Sequence, residues 1–324
     1  MAATSITKIA AVALSLASAN LVMAAEPFPV KPIRIIVASA AGGSLDITTR
    51  MVAKRMGEKL GQPIVVENRA GAGSLIAIRT VKTAQSDGYT LLAAVNTVTI
   101  QQAVAADAGY DLTKDFIGVG PLTRAPFFLV TAANQPDKSA ADLIARARQN
   151  PGTISYASAG NGSTTHIGAA IYAQRANINL QHVPYKGNAA SWTDLMAGRV
   201  GVLLEAYGSS VSMIRDGRLK ALGVTSSKRV SVLPEVPTLA EQGVPNFNFY
   251  FWIGLMAPAG TPKDIADKLN DALSASLADQ ELKDRFREEG AEVMSMGSDD
   301  FTKFLKDEAS SMSKLVNDLN LPKQ

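Results

Sequence analysis

Apolar residues recur along this chain with two alternating periods. Short, largely apolar runs at Ile33–Val37, Pro63–Glu67 and Thr90–Val95 have the length and branched side chains of strands. Between them, apolar residues fall three to four positions apart, as at Ile47, Met51, Val52, Met56 and Leu60, which predicts a helix from Ser44 to about Leu60, ended by Gly61. A second helix is expected from Ser74 to about Ala84. The almost wholly apolar third run belongs in a parallel sheet covered on both faces. Strands are expected again at Phe127–Val130, Thr153–Tyr156, Leu180–Val183, Val200–Leu204, Leu219–Val224 and Trp252–Ala257. Ser139 to Asp142 and Thr238 to Glu241 have the spacing of helix-starting capping boxes, and Pro262 suits the first position of a helix. Strands alternating with helices give an α/β class.

The element order divides the folded chain into two lobes, each a mainly parallel sheet flanked by helices. Residues 26–126 and 250–324 form the first lobe and residues 127–249 the second. The chain crosses near Arg124–Val130 and returns near Phe247–Trp252, and two such crossings form a natural hinge. A single large domain is the alternative.

Residues 1–25 stand apart. Lys8 precedes an apolar run from Ile9 to Val22 that closes in Met23-Ala24-Ala25, the pattern of a secretory signal peptide. The run is short for a membrane span, and an uncleaved anchor is the alternative. The expected location is the periplasm.

Net charge is +3 with both signs interspersed, so nucleic-acid binding is not supported. The absence of cysteine excludes thiol catalysis, thiolate metal sites and disulfides.

The strongest chemical signal is a glycine loop between the first strand and its helix, Ala38-Ser39-Ala40-Ala41-Gly42-Gly43-Ser44-Leu45-Asp46. Glycine lets backbone N–H groups turn toward a ligand, and the helix adds free amides and the positive end of its dipole. A second such corner runs through Ser158-Ala159-Gly160-Asn161-Gly162-Ser163-Thr164-Thr165-His166. Two anion corners suggest one anion gripped from two sides. Asp46 either stabilises its helix start or accepts a bond from the ligand. Thr164 and Thr165 serve as caps or as donors. Ser39, Ser44, Asn96 and Thr97 follow strand ends, where ligands bind in open α/β sheets. Lys186, after Tyr185, offers a charge to an anion, and Glu205 and Tyr207 close another strand.

No Gly-x-Ser-x-Gly elbow, P-loop or complete dinucleotide fingerprint is present. The two histidines, His166 and His182, lack the spacing of a helical metal pair. His166 either bonds its local backbone or touches the ligand, and His182 reads as structural. No metal or cofactor is expected.

These motifs resemble the Bug-type periplasmic solute-binding receptors of the tripartite tricarboxylate transporter family. The resemblance rests on the first corner, on Gly61–Gly73, Asp87–Leu92, Tyr156–Ser163, His182–Gly187, Gly217–Leu222, Leu233–Thr238 and Ala257–Pro262, in order over essentially the whole mature chain. It implies a Venus-flytrap fold and no catalysis. It also implies a carboxylate held by the loops Ser39–Asp46, Asn96-Thr97, Ser158–His166, Tyr185–Asn188 and Glu205–Tyr207, and delivery to membrane permease subunits by a monomer. Two departures border the ligand. Ala38-Ser39-Ala40 stands where the family usually has proline and an aromatic, and Glu205-Ala206-Tyr207 where it often has aspartate. The smaller first loop leaves room for a bulkier ligand, such as an aromatic dicarboxylate. The competing classes are a secreted α/β hydrolase acting on anionic substrates and a receptor that feeds a signalling system.

Overall fold

The structure, a computed structural model, describes residues 28–71, 74–105 and 107–318. The expected signal segment and Ala72-Gly73, at the end of the family-like stretch Gly61–Gly73, lie outside the described residues. Ten strands form one mixed sheet, in the order β2-β1-β3-β9-β4-β7-β5-β6, with β8 and β10 also on β4. Strand β1 (Ile33–Val37) lies parallel to β2 (Ile64–Asn68) and to β3 (Thr90–Val95). Ile33 sits opposite Ile64, and Ile35 opposite Leu91. Strand β9 (Tyr250–Pro258) runs antiparallel to β3. At the other end, β5 (Ser155–Ser158) is parallel to β6 (Gln181–Pro184) and β7 (Val202–Ala206).

Strand β4 (Phe116–Ala132) joins the two ends of the sheet. Its first part, Phe116–Pro126, pairs with β9. Its second part pairs with β7 and with β8 (Leu219–Val224). The sequence reading recovered only Phe127–Val130 of this strand. Gly118, Gly120, Pro121 and Pro126 break the apolar run upstream, and the register shifts at Gly118/Gly120 and Pro121/Thr123 absorb them. The two-residue β10 (Glu292–Val293) on β4 was not foreseen either.

Burial follows the strand period. On β4 and β7, Phe127, Leu129, Val202 and Leu204 pack with Ile167 and Tyr172 on one face. Phe128, Val130, Leu203 and Tyr207 pack on the other. A separate core gathers Ile33, Ile35–Val37, Leu91–Ala94, Trp252, Ile253, Leu255–Ala257 and the C-terminal residues Leu269, Phe286 and Phe301. The last helix, Ser298–Asp318, bridges cores: Phe301 and Leu305 belong to this one, Met312 and Val316 to the Phe127 cluster.

The first helix spans Ser44–Leu60 and ends at Gly61 with φ of 68°, a left-handed stop that glycine adopts without strain. Ser139 Oγ accepts the Asp142 N–H at 3.1 Å and starts the helix Ala140–Gln149. Thr238 and Glu241 make both bonds of their box, at 2.7 and 3.0 Å, yet the chain there forms turns and not the expected helix. Gly243, with φ of 94°, turns the backbone after only five residues. Pro262 caps the helix Lys263–Leu277 instead of occupying its first turn.

Candidate functional site

Parallel strands deliver both glycine corners at their carboxyl ends, where helix N-termini collect. The first corner leaves β1 at Val37 and enters the Ser44–Leu60 helix through Gly43. Gly43 is the N-cap and no side chain caps this helix, so its first-turn amides are left without a side-chain partner behind the exposed loop Ala40–Ser44. Gly42 holds φ of 82°, a conformation that L side chains rarely adopt. Gly43 has ordinary φ, and a Cβ there would meet only the Ala40 carbonyl at 3.7 Å.

Asp46 holds this loop in place. Its side chain is buried and accepts the Gly42 N–H at 2.8 Å, Arg50 Nε at 2.8 Å and Asn68 Nδ2 at 2.9 Å. Burial alone would raise its pKa, but the Gly42 amide, Asn68 and Arg50 outweigh that and hold it below the ordinary aspartate value. Both carboxylate oxygens are thus engaged, and Asp46 acts on the loop. Asn68 also donates to the Ser39 carbonyl at 3.2 Å, and Ser74 Oγ to the Ala38 carbonyl at 3.0 Å. Half-buried Ser39 turns its hydroxyl to the Ala40 carbonyl at 3.3 Å. Arg50, Asn68 and Ser74 were absent from the sequence-derived site. They come from the helix and from the neighbouring strand–loop unit, and only the β1–β2 pairing brings Asn68 back to the loop.

The second corner leaves β5 at Ser158 and enters the helix Thr164–Arg175. Its side chains satisfy several of its own donors. Ser163 Oγ accepts the His166 N–H at 3.2 Å, and Thr165 Oγ1 accepts the Ala159 N–H at 3.0 Å. The Gly160 N–H donates to Ser158 Oγ at 3.1 Å, and the Gly162 N–H to His166 Nδ1 at 3.1 Å. Exposed Asn161 forms the tip. Because Nδ1 accepts, the neutral His166 ring carries its proton on Nε2. The ring lies 3.9 Å from that of His182, nearly parallel, and His182 in turn stacks on Tyr156 at 4.9 Å. Burial lowers the pKa of both histidines, with the neighbouring His166 adding to the effect on His182, which falls to about 4.

Ser158 Oγ lies 2.7 Å from His182 Nε2, the contact of a serine nucleophile with its base. Its surroundings fail that chemistry. Ser158 is fully buried, its hydroxyl already takes the Gly160 amide, and a ring with a pKa near 4 is a weak base at neutral pH.

The two other strand-end segments meet the second corner. Thr164 donates to Asn96 Oδ1 at 3.2 Å, and its hydroxyl lies 3.3 Å from that of Thr97. Asn96 also donates to the Tyr250 carbonyl at 3.0 Å. Thr97 opens a short helix, Thr97–Val104, that the sequence reading missed. Thr165 donates to Asn188 Oδ1 at 3.1 Å, and Asn188 to the Leu204 carbonyl at 3.0 Å. The Tyr185 N–H bonds the Ser158 carbonyl, its hydroxyl donates to Asp194, and Lys186 beside it is exposed.

Glu205 is buried and takes Ser209 Oγ at 2.7 Å, the Ala206 N–H at 2.9 Å and Trp192 Nε1 at 3.2 Å. Tyr207 is a core residue whose hydroxyl accepts from Arg215 at 3.2 Å. Asn96, Thr97, Thr164, Thr165 and Asn188 therefore form one hydrogen-bonded wall, while Ser158 bonds Gly160 and His182. Ser39–Asp46 forms a separate one, and Glu205 and Tyr207 sit inward of the loops.

Residues 48–321 match the family model described as tripartite tricarboxylate transporter family receptor. The chain is 35% identical over 297 residues to the protein of the tcbD-tcbE intergenic region of Pseudomonas sp. (strain P51), covering 91% of this chain and 88% of that one. The solved structure of the periplasmic binding protein BugD superposes with a TM-score of 0.79 at 32% identity, over 92% of this chain and 100% of that one. The R. palustris protein Rpa4515, solved with adipate, superposes with a TM-score of 0.81 at 31% identity, over 91% of this chain and 99% of that one.

Proposed function

The chain belongs to the receptor family of tripartite tricarboxylate transporters, and we propose that it captures a small organic carboxylate and passes it to the membrane permease subunits of such a transporter. The observation that carries the ligand class is the first corner: an uncapped helix N-terminus behind an exposed glycine loop whose shape Asp46 fixes. Outward amides at a positive dipole end match a carboxylate and need no counter-charge from a side chain. The relative solved with adipate, a dicarboxylate, supports this class. The polar wall of Thr97, Thr164, Thr165 and Asn188 suits the far end of such a ligand. The protein acts as a receptor and not as a catalyst, in the periplasm after export through residues 1–25, and as a monomer.

In this reading, residues 26–126 with 250–324 and residues 127–249 move as two lobes about β4 and β9. Support comes from the separate core around β1, β3 and β9 and from the clusters on either face of β4 and β7. Ligand bonds to both lobes favour closure, and a gap of a few kcal/mol between open and closed forms suffices for that.

Thermal unfolding with a panel of mono-, di- and aromatic carboxylates tests the reading. A ligand at a hundred times its Kd adds about 2.7 kcal/mol of stability. A flat panel, together with turnover of an anionic ester, would replace the receptor with a hydrolase.

A further inference from the structure

A cavity of about 640 Å³ lies across the hinge strands, away from both glycine corners. One wall is the loop after β8, with Lys228 and Arg229. The opposite wall is the end of the helix Gln280–Glu288, with Lys283 and Arg287, leading into β10. Arg124 on β4 and Tyr250 on β9 form the floor. Five basic side chains thus line the cavity against one acid, Glu292. This net of four positive charges exceeds the +3 of the whole chain.

The surroundings leave Lys228, Lys283 and the Nη groups of Arg124 available. Arg124 Nε pairs with Glu292 at 2.6 Å, and its guanidinium rests over the Tyr250 ring at 5.0 Å. Its Nη groups donate to no acceptor among the described residues. Arg229 pairs with Glu241 and Arg287 with Asp284, both on exposed surface where water screens an ion pair strongly. Among the described residues, Lys228 and Lys283 have no ion-pair partner. The Lys228 loop is fixed by Ser226, whose hydroxyl donates to the Lys228 carbonyl at 2.7 Å. Nothing in the packing of this fold requires like charges to converge from two walls, and such an arrangement costs repulsion that a bound anion relieves.

We propose that this cavity is a second anion site, taking a small anion with at least two negatively charged groups, either a polycarboxylate or a phosphate compound. Its volume is that of an ordinary small-molecule pocket. One anionic group is held by Lys228 and Arg229, and the other by Lys283 and Arg287. The anion therefore ties the loop after β8 to the segment before β10. That segment also reaches the strand end Glu205–Tyr207 behind the candidate site, because Gly290 packs so closely that an added Cβ would lie 2.8 Å from Tyr207 Cβ.

Isothermal titration of the purified protein with inorganic pyrophosphate and, separately, with citrate tests this at fixed ionic strength. The variants are Lys228→Glu/Lys283→Glu, the milder Lys228→Gln/Lys283→Gln, and Gly43→Trp at the first corner. Saturable binding is expected in the wild type and in Gly43→Trp. It should weaken by about tenfold or more on charge reversal and by less on neutralisation. Unchanged melting of the glutamine pair shows that the fold is kept. Binding of citrate through these lysines assigns the cavity to polycarboxylates, and binding of pyrophosphate alone assigns it to phosphates. No saturable binding of either probe, equal affinity in both lysine variants and wild type, or loss in Gly43→Trp overturns the proposal. Because Gly43→Trp blocks the first corner and spares this cavity, failure here and failure of the receptor reading are told apart.

Discussion

At the first glycine corner the helix begins without a side-chain cap, and a buried aspartate ten residues after Ile36 holds the loop from behind. At the second, Ser163, Thr165, Ser158 and His166 take up the loop's own amides, and the rings of His166, His182 and Tyr156 stack beneath it. In sequence the two read as equal jaws. In the fold the first offers donors outward, while the second is a preformed polar surface whose hydroxyls already bond one another. An anion gains most at the first, where the helix-start amides meet it without first giving up a side-chain cap. The second supplies shape and orientation.

Substitutions can break this comparison, and the largest effect belongs to Gly43. Gly43→Trp leaves backbone conformation alone but fills the corner, so carboxylate affinity should fall by roughly a hundredfold or more, the worth of two or more charge-assisted bonds. Calorimetric titration checks it, and retained affinity removes the first corner from the site. Next comes Asp46→Asn, which weakens the bonds from Gly42, Arg50 and Asn68 together. A loss of about 2 kcal/mol in unfolding free energy is expected from chemical denaturation, with weaker ligand binding as the loop loosens. A smaller change belongs to the second corner, where Ser163→Ala removes a cap and should cost about 1 kcal/mol while changing affinity little. Equal losses of affinity from Ser163→Ala and Gly43→Trp would erase the distinction drawn between the corners.

The last effect is absent at neutral pH and grows on acidification. His182 has its pKa lowered from 6.5 to about 4 in the folded protein. The unfolded chain therefore takes up the proton first, and stability falls as pH drops from about 6.5 toward 4, then levels off for this group. Melting temperature across that range should decline in the wild type, with a shallower decline in His182→Gln. Parallel curves would mean that the stacked rings carry no titration penalty.

Much of the fold was legible because its elements are locally encoded. The mainly apolar runs of β1 and β3, the i, i+4 spacing of the first helix and the stop at Gly61 each follow from neighbours in sequence. Strand β4 was half hidden, since its glycines and prolines read as turns and only pairing with β9, through two register shifts, makes them strand. The candidate site was legible at its glycines and threonines, residue types that report special backbone geometry or helix starts. Its supports were not: Asn68 reaches Asp46 across a parallel strand pair, and Asn96 reaches Thr164 across 68 residues of chain.

By itself, then, the sequence determined the strand and helix periods, the two loop-to-helix corners and their resemblance to one receptor family, because each is a property of residues adjacent in the chain. Only the tertiary structure decided that the helix at the first corner starts without a side-chain cap while side chains of the second corner bond several of its own amides. Only the tertiary structure, too, gathered Arg124, Lys228, Arg229, Lys283 and Arg287 around one cavity. Both depend on which distant segments the sheet brings together, and a hydrogen bond or a charge cluster exists only once that distance is closed.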